Sequence, residues 1–520
     1  MSDFFKRIVS AISSFFMTIA AFFGFAAKEP VSPYGKWQLS VPAYEAGVYC
    51  ETVYNTGTGM ENEVLSAAQA PSRMQLVKDT TLQDAEAYGK KLQSAGYRST
   101  FADKFAKLHF YGYEKGTSRV YYYYDDTTGV TRVIDDCCNT VSLDAFSYDK
   151  NTPEEPVTEP PAVTEPYVTE PIDPQDTQVN EDNAPPAVTQ PGTTTTTLAP
   201  PVTAPYVPPA NFQAQPGVYQ FSFPYYDSSH AQEKVYAKNG MLYLLVLSDG
   251  KLVIIDGGSA YQCADQKVEA FMRFVRELTG KSDKEKMDIA LWYGTHCHAD
   301  HIDFFYKVIH KYRNCFNLER VMFNYQSNTV ISYAKRVDKL RNLLLKYYPD
   351  VKYVKCRSGY RFSFLDTKFV ILSTHEDLVS PETGTLSVTN ANDCCSILKV
   401  TLGGKTFLFL GDASTATQTE LLRKFTKTQL HVDVLQASHH MINNLTELYP
   451  VINPTYVMCP QSKSRTIEVY PSYYTFLKLA SAQRMYFADQ GVYGFLPQAG
   501  GSISVSYRWV YCVGYDNSGL

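Results

Sequence analysis

The sequence lacks several features that would place it in a simple class of protein. No Cys-x-x-Cys pair occurs among its 11 cysteines, which argues against a zinc site built from thiolates. The odd number of cysteines and the two vicinal pairs do not fit a small disulfide framework, although Cys50 could pair with Cys137 or Cys138 in an exported chain. Only one long apolar run occurs, so a polytopic membrane protein is excluded. A hydrophobic content of 44% excludes a fully disordered chain.

The length of 520 residues predicts two or three domains, and charge is distributed unevenly along them. Residues 151–209 hold nine acidic and no basic side chains. Residues 210–520 hold 33 basic and 27 acidic ones, a net charge of +6. The overall charge of −5 therefore hides a mildly basic C-terminal part, which is compatible with an anionic substrate.

The N-terminus has the pattern of a membrane or export segment. Residues 8–27 carry no charge and are apolar or small, and Lys6 and Arg7 precede them. Twenty such residues can span a hydrocarbon core of roughly 30 Å, and the preceding charges place the N-terminus in the cytoplasm. The alternative is a cleaved signal peptide. Residues 1–30 are thus predicted to be a transmembrane anchor or signal peptide. The remainder is expected to be secreted or to lie outside the cytoplasmic membrane, on a bacterial cell surface.

A spacer is predicted in the middle of the chain. Residues 151–209 hold 15 of the 28 prolines and three copies of Val-Thr-Glu-Pro. Such a segment cannot bury enough apolar surface to fold, and proline favours an extended backbone. We therefore expect a disordered Pro/Thr-rich linker of the kind found on bacterial cell surfaces. We also expect residues 210–520 to fold without the N-terminal part.

Residues 31–150 are predicted to form a small α+β domain. A helix begins near residue 80, with Leu82, Ala85, Tyr88 and Leu92 on one face. Strands are predicted at 107–113, 119–124 and 130–135. The tyrosine run at 121–124 would be either an exposed surface that contacts the cell wall or an ordinary aromatic strand. No group of catalytic residue types occurs in this domain, and the sequence does not predict its role.

The residues that carry chemistry follow an apolar strand in the C-terminal part. A hairpin ends at Asp256-Gly257-Gly258, and a strand at 288–293 leads directly into Thr295-His296-Cys297-His298-Ala299-Asp300-His301. In an extended segment His296 and His298 point to the same side and can bind one metal ion. Asp300 and His301, where the chain turns into a helix, can face a second ion. The side chain of Cys297 should point the other way.

This pattern resembles the metallo-β-lactamase superfamily over roughly residues 210–520. The resemblance implies an αββα sandwich, an α/β fold with a metal site along one edge of its two sheets. It also implies two further ligand segments. In one, a strand at 405–410 ends at Gly411-Asp412, where an aspartate bridges two ions. In the other, a strand at 432–436 precedes His439 and His440. Because adjacent histidines project differently, we predict that His439 is the ligand and that His440 donates a proton or contacts substrate.

Other positions are assigned less directly. The third ligand of the first ion in the superfamily falls at Asn392 or Asp393, where Asp393 could supply a carboxylate oxygen, and His375 is the alternative. Asp256 is predicted to support the metal loops by hydrogen bonding. Lys463 and Arg465 could bind a phosphate, or could belong to a solvated charged loop.

The details are closest to one branch of the superfamily. The segments around Asn392-Asp393, FLFLGD and DVLQASHH resemble the extracellular metallo-β-lactamase domain of ComEC-type competence proteins. That domain is thought to be a nuclease that degrades one DNA strand. The chain departs from it at Asp303-Phe304, where glycines are usual, at Met441 after the two histidines, and at Tyr470, where a histidine is usual. We also expect no counterpart of the channel domain within these 520 residues.

The function predicted from these residues is metal-dependent hydrolysis. Imidazole and carboxylate ligands suit two ions of Zn²⁺ or Mn²⁺. A metal-bound hydroxide would attack the substrate. Asp300 would orient this hydroxide or complete the ligands of the second ion. A phosphodiesterase acting on an anionic substrate such as DNA is favoured. The alternatives are a hydrolase of wall-linked esters, such as phosphorylcholine esters, and a non-enzymatic surface-binding protein.

Overall fold

The computed structural model describes residues 36–54, 73–135, 205–223, 240–325, 334–442, 445–463, 466, 484–508 and 510. The predicted anchor or signal segment and most of the predicted linker lie outside these residues, as do Cys137 and Cys138. Cys50 is a free thiol. Within the described ranges, no helix is both long enough and apolar enough to cross a membrane.

The N-terminal part is an antiparallel sheet of six strands covered on one face by a helix, which agrees with the predicted α+β composition. The strand order is β1-β2-β6-β5-β4-β3. The helix α1 (Leu82–Ser94) begins at Thr81, whose side chain accepts a hydrogen bond from the backbone of Asp84. Its apolar face packs on the sheet, as its sequence periodicity predicts. The strands are β1 (Val48–Tyr54), β2 (Arg73–Lys78), β3 (Arg98–Phe105), β4 (Leu108–Lys115), β5 (Ser118–Asp125) and β6 (Val130–Asp135).

The tyrosine run on β5 is buried on both faces of this sheet. Tyr122 and Tyr124 pack toward α1, and Tyr121 and Tyr123 point to the opposite face. None of the four is more than 8% exposed. Of the two alternatives, this burial favours an ordinary aromatic strand over an exposed surface, because both faces of β5 are covered.

The C-terminal part contains two sheets, each half antiparallel and half parallel. The first has the order β13-β12-β10-β9-β8-β7-β21-β22, with β11 also paired to β10, and the second has the order β14-β15-β16-β17-β18-β19-β20. The strands β9, β10, β12 and β13 are parallel, as are β17 to β20. The strands are β7 (Gly217–Gln220), β8 (Leu242–Val246), β9 (Leu252–Asp256), β10 (Met287–Tyr293), β11 (Phe316–Leu318), β12 (Arg320–Phe323), β13 (Lys352–Lys355), β14 (Arg361–Phe364), β15 (Thr367–Ser373), β16 (Ile397–Leu402), β17 (Lys405–Phe409), β18 (Val434–Gln436), β19 (Tyr456–Cys459), β20 (Met485–Phe487), β21 (Val492–Pro497) and β22 (Ile503–Arg508).

Helices cover the outer face of each sheet. One apolar cluster joins the first sheet to α2, α3 and α4, another joins the second sheet to α5, α6 and α7, and a third lies between the two sheets. The helices are α2 (Asp265–Thr279), α3 (Asp303–Lys311), α4 (Ala334–Tyr347), α5 (Thr415–Lys424), α6 (Lys427–Leu430) and α7 (Leu448–Ile452). The layer order is helix, sheet, sheet, helix, which is the order that the sequence resemblance implies.

The N-terminal sheet packs directly against the second sheet and α5. Tyr121 and Tyr123 belong to the same apolar cluster as the residues between the two C-terminal sheets. The ring of Phe110 lies so close to Gly359 that a Cβ there would come within 2.7 Å of it. The guanidinium of Arg423 on α5 pairs with the buried Asp125 at 2.8 Å. The described parts on either side of the predicted linker are therefore in contact, and the folding of residues 210–520 without the N-terminal part stays a prediction.

Candidate metal centre

The predicted ligands lie at the carboxyl ends of the parallel strands, where open α/β sheets commonly hold their sites. β10 ends at Tyr293, and the next residues bring the imidazoles of His296 and His298 together, with Nε2 of the first 2.9 Å from Nδ1 of the second. A 3-10 turn over Ala299–His301 follows, and it brings Asp300 and His301 beside Asp412 and His440. The loop thus supplies two adjacent pairs of ligand-type side chains.

Asp256, at the end of β9, holds this loop in place. Its Oδ1 accepts hydrogen bonds from the backbone and hydroxyl of Thr295 at 2.8 and 2.9 Å. Its Oδ2 lies 2.7 Å from Nδ1 of His301, so that Nε2 of this histidine faces the cluster. Asp256 is 1% exposed and adopts φ +60°, an unusual conformation for a residue other than glycine. These are the contacts expected of a residue that supports the metal loops.

The carboxylate of Asp412 divides the surrounding histidines into two pairs. Its Oδ1 lies 3.2 Å from Nε2 of His301 and 3.7 Å from Nε2 of His440. Its Oδ2 lies 3.9 Å from Nε2 of His296 and 3.8 Å from Nε2 of His439. Each oxygen therefore faces its own pair of imidazoles.

Two groups of side chains have the spacing of metal ligands, and they share Asp412. One consists of Asp300, His301, Asp412 and His440, and the other of His296, His298 and Asp412. Nε2 of His301 and Oδ1 of Asp412 are buried and form an ion pair with each other at 3.2 Å. Imidazole and carboxylate groups at this spacing fit a site that binds cations.

The adjacent histidines make different contacts. Nδ1 of His440 lies 2.9 Å from the carbonyl oxygen of Pro460, and its Nε2 lies 3.0 Å from Oδ2 of Asp300. His439 instead lies beside Asn392, with Nε2 3.2 Å from the amide nitrogen. Asp300 and His440 thus belong to the same ligand-spaced group. The prediction rests on adjacent histidines projecting differently. In the structure His439, His440 and Met441 all have positive φ, from +46° to +67°. This left-handed turn lets both imidazoles approach Asp412.

The candidates for the third ligand of the first position lie outside the cluster. Oδ2 of Asp393 accepts hydrogen bonds from the backbone and hydroxyl of Thr389 and from the backbone of Asn390, so it stabilises its own turn. His375 is buried beside Glu376 and Lys355, away from the metal groups. Neither residue belongs to the ligand-spaced groups. The neighbouring residue Asn392 is the one that reaches the histidines.

The remaining predicted residues are placed as follows. Cys297 is buried in the cluster between the first sheet and its helices, on the side away from the metal groups. Lys463 lies beyond the end of β19, three residues after Pro460, and its backbone N–H donates to Asp489 at 3.4 Å. Arg465 lies outside the described residues. The carbonyl of Pro460 is a contact that sequence reasoning missed, because a backbone oxygen leaves no signal in residue type.

The electrostatics of the cluster favour positive charge near Asp300 and Asp412. Burial opposes protonation of His301 and His440, but the carboxylates outweigh it and raise the pKa of both imidazoles. Burial also opposes ionisation of Asp412, yet His301 and His440 hold its pKa well below the usual range. Burial, followed by the neighbouring His301 and His298, lowers the pKa of His296, which keeps that imidazole neutral and able to bind a metal.

Comparison with known proteins gives only weak similarities. No protein-family model matches the chain, and no curated protein matches it. Among solved structures, a diphosphatase from the PhnP family is similar at 14% identity and a TM-score of 0.30, over 55% of this chain and 100% of that one. Tm1679, a metal-dependent hydrolase of the β-lactamase superfamily, is similar at 8% identity and a TM-score of 0.30, over 53% and 97%. A β-lactamase domain protein from Burkholderia ambifaria is similar at 16% identity and a TM-score of 0.24, over 42% and 56%. Similarity at this level does not establish a family or an activity for this chain.

Proposed function

We propose that this chain is a metal-dependent hydrolase of the metallo-β-lactamase type, and that it cleaves phosphodiesters outside the cytoplasmic membrane. The observation that carries the hydrolase proposal is the buried carboxylate of Asp412, which faces two separate groups of ligand-type side chains. A purely structural role would not require four imidazoles to converge on one buried carboxylate. The proposal of export, by an anchor or a signal peptide, depends on residues 8–27 alone.

The geometry supports a specific set of ligands. One position would use Asp300, His301 and His440, and the other would use His296, His298 and His439. Asp412 would contribute one oxygen to each position. The donors are imidazole and carboxylate, which suit Zn²⁺ or Mn²⁺.

Two bound divalent ions would supply Lewis-acid charge to the substrate and would lower the pKa of a bound water molecule toward neutrality. The chain's own residues prepare the site for this chemistry. Asp256 and the carbonyl of Pro460 fix the tautomers of His301 and His440, so that Nε2 of each imidazole faces the cluster. Asp300 lies beside His440 and would either orient the nucleophile or complete the position that contains His301 and His440.

A phosphodiester is the favoured substrate for two reasons. The segments around Asn392, Asp412 and His439 resemble those of a proposed nuclease domain, and residues 210–520 carry a net positive charge of +6. Lys463 lies on the loop whose Pro460 carbonyl holds His440, so it is on the correct edge of the sheet to bind a phosphate oxygen. We propose Lys463 and Arg465 for that role.

The test uses the purified chain without residues 1–30. It would be assayed after loading with Zn²⁺ or Mn²⁺ on a chromogenic phosphodiester, on DNA and on a phosphorylcholine ester. We expect hydrolysis of the phosphodiester that disappears with a chelator and returns with metal. Lys463→Met should raise KM for the phosphodiester. Lys284→Met is the matched control. Lys284 is exposed and precedes β10, so it lies near the amino end of that strand, whereas the metal groups lie at the carboxyl end. The absence of metal binding and of hydrolysis of any of these substrates would overturn the proposal.

A further inference from the structure

We infer that Arg132 and Glu51, on the N-terminal sheet, are positioning residues for the proposed reaction. They hold the 374–394 loop, which is the segment between β15 and β16 that carries Asn392 to the metal groups. The inference depends on the proposed function for the identity of the reaction, although not for the contacts themselves. It assigns a role to the N-terminal sheet, for which the sequence predicts none.

The 374–394 loop has little regular structure of its own. It contains two 3-10 turns, at His375–Asp377 and Ala391–Cys394, and a single β-bridge between Val379 and Leu386. At its far end the amide nitrogen of Asn392 lies 3.2 Å from Nε2 of His439. Oδ1 of Asn392 is buried and has no hydrogen-bond partner in the described part of the chain. A shift of this loop would therefore move a polar group that lies at the cluster.

Arg132 fixes the beginning of the loop through its main chain. The guanidinium donates from Nε to the carbonyl of Glu376 at 2.7 Å and from Nη2 to the carbonyl of Asp377 at 3.3 Å. It lies over the ring of Tyr123, 4.9 Å from the ring centroid, and is fully buried. Burying a guanidinium is costly unless it is hydrogen-bonded, so its position is tightly coupled to those two carbonyls.

The side chains of the same turn are fixed from the other side. Glu376 is paired with Lys355 and with Arg357, the latter at 3.0 Å, and Asp377 pairs with Lys424 at 3.0 Å. All five side chains are almost fully buried. The hydrolase part therefore holds the side chains of this turn, whereas the N-terminal sheet holds its backbone.

A second group of contacts fixes the middle of the loop. The carboxylate of Glu51 accepts a hydrogen bond from the backbone of Leu386 at 2.8 Å, and Lys78 donates to the carbonyl of Glu382 at 2.8 Å. Gly384 packs so closely on Cys50 that a Cβ would come within 2.4 Å of the sulfur. Together with Arg132, these contacts link β1, β2 and β6 to successive points on the loop, before it reaches Asn392.

The experiment compares variants of the whole chain. Glu51→Ala removes the acceptor for Leu386, whereas Glu51→Gln keeps a carboxamide oxygen that can accept the same bond. Arg132→Lys keeps the charge but cannot donate to both carbonyls in the same way. Arg98→Met is the matched control, because Arg98 lies on the edge strand β3 of the same sheet and pairs only with Glu114 among the ion pairs of the described residues.

We expect Glu51→Ala and Arg132→Lys to lower kcat/KM for the phosphodiester by about tenfold, since small displacements of a site loop are costly in rate. Metal content should stay at the wild-type value, and the assay temperature should lie well below the melting temperature of every variant. Glu51→Gln should restore the rate, and Arg98→Met should leave it unchanged. A purely structural role would lower the melting temperature of Glu51→Ala and Arg132→Lys and leave their rates below that temperature unchanged.

Hydrogen exchange separates this inference from the proposed function. The amides between Leu386 and Cys394 should exchange faster in Glu51→Ala and Arg132→Lys than in Arg98→Met. If the wild-type chain binds metal but hydrolyses no phosphodiester, the proposed function fails while this exchange result still tests the loop. Unchanged exchange with a wild-type rate in both variants would overturn the inference, and so would a loss of rate that follows metal content alone.

Discussion

At the scale of single residues, Asp412 should matter more than any one histidine. Two unit charges about 4 Å apart interact by about 4 kcal/mol at an effective dielectric of 20, and two dications by about four times as much. A carboxylate between the two positions offsets this repulsion. We expect Asp412→Ala to bind one metal ion or none, as measured by metal analysis per folded chain. If this variant kept two ions and the wild-type rate, the ligand assignment would be wrong.

The two adjacent histidines should serve different ions. His439 faces the same oxygen of Asp412 as His296, and His440 faces the same oxygen as His301. A double variant at His298 and His439 would therefore weaken one position and retain about one ion per chain. A double variant at His298 and His440 should bind neither ion tightly. Equal metal content in the two double variants would contradict the division.

Asp256 allows a test of the residues behind the ligands. Asparagine tolerates the left-handed backbone that Asp256 adopts, so Asp256→Asn should fold. It would weaken the hold on Nδ1 of His301, and loss of such a partner typically costs about 10- to 100-fold in metal affinity. Titration with a competing chelator measures this change. An unchanged affinity would mean that Asp256 only shapes the turn.

At the scale of elements, the sequence predicts the strands that precede the ligands. It does not predict the backbone conformation of the turns that follow them. The strands before His296, Asp412 and His439 are runs of apolar residues, and these patterns are strong. The left-handed turn that includes Met441 has no such signal, because methionine is rarely found at positive φ. The roles of the adjacent histidines, which depend on this turn, could therefore not be assigned from residue types alone.

The turn at the beginning of the 374–394 loop should make stability depend on pH. Burial lowers the pKa of His375 to about 4, and Lys355 adds to this effect although Glu376 opposes it. In the unfolded chain the pKa returns to about 6.5. Between these values the unfolded chain binds more protons, so the free energy of unfolding should fall as the pH decreases from about 6.5 to about 4.

The size of this effect is roughly 3 kcal/mol over the whole window. His375→Gln removes the titrating group, so its stability should fall less steeply than that of the wild-type chain over the same range. Denaturant unfolding at several pH values, with metal content matched, measures the difference between the two curves. Parallel curves between pH 4 and 6.5 would show that His375 does not stay neutral in the folded state.

At the scale of the whole molecule, the linker pattern does not reveal the contact between the parts on either side of it. The sequence indicates two separate parts, but Arg132 and Asp125 bind residues that are 244 and 298 positions away. Charged residues in an interface look like ordinary surface charges in a sequence, and only the three-dimensional arrangement shows that they are buried. For this reason the position of the N-terminal part against α5 could not be predicted. Its α+β composition could be predicted, because it depends on local sequence patterns.

This interface predicts how the chain behaves when it is cut. A protease site engineered within 151–204 should allow cleavage of the folded chain without separation of the halves, because the sheet is held by apolar contacts and buried ion pairs. We expect the two fragments to co-elute on size exclusion. The C-terminal fragment produced alone should be less soluble than the cut complex, since the surface around Tyr360 and Phe362 would be uncovered. Separation of the fragments at neutral pH would contradict this.

The sequence distance across this interface also sets an order of events during synthesis. The sheet leaves the ribosome before its partners exist, and at about 5–20 residues per second the delay until Arg423 is made is roughly 15 to 60 s. During that time the face with Tyr121 and Tyr123 is open, and Arg132 has no carbonyls to bind. We therefore expect the nascent sheet to need a chaperone that binds exposed apolar strands. The yield of folded protein should then depend on this early stage and not on the stability of the finished protein.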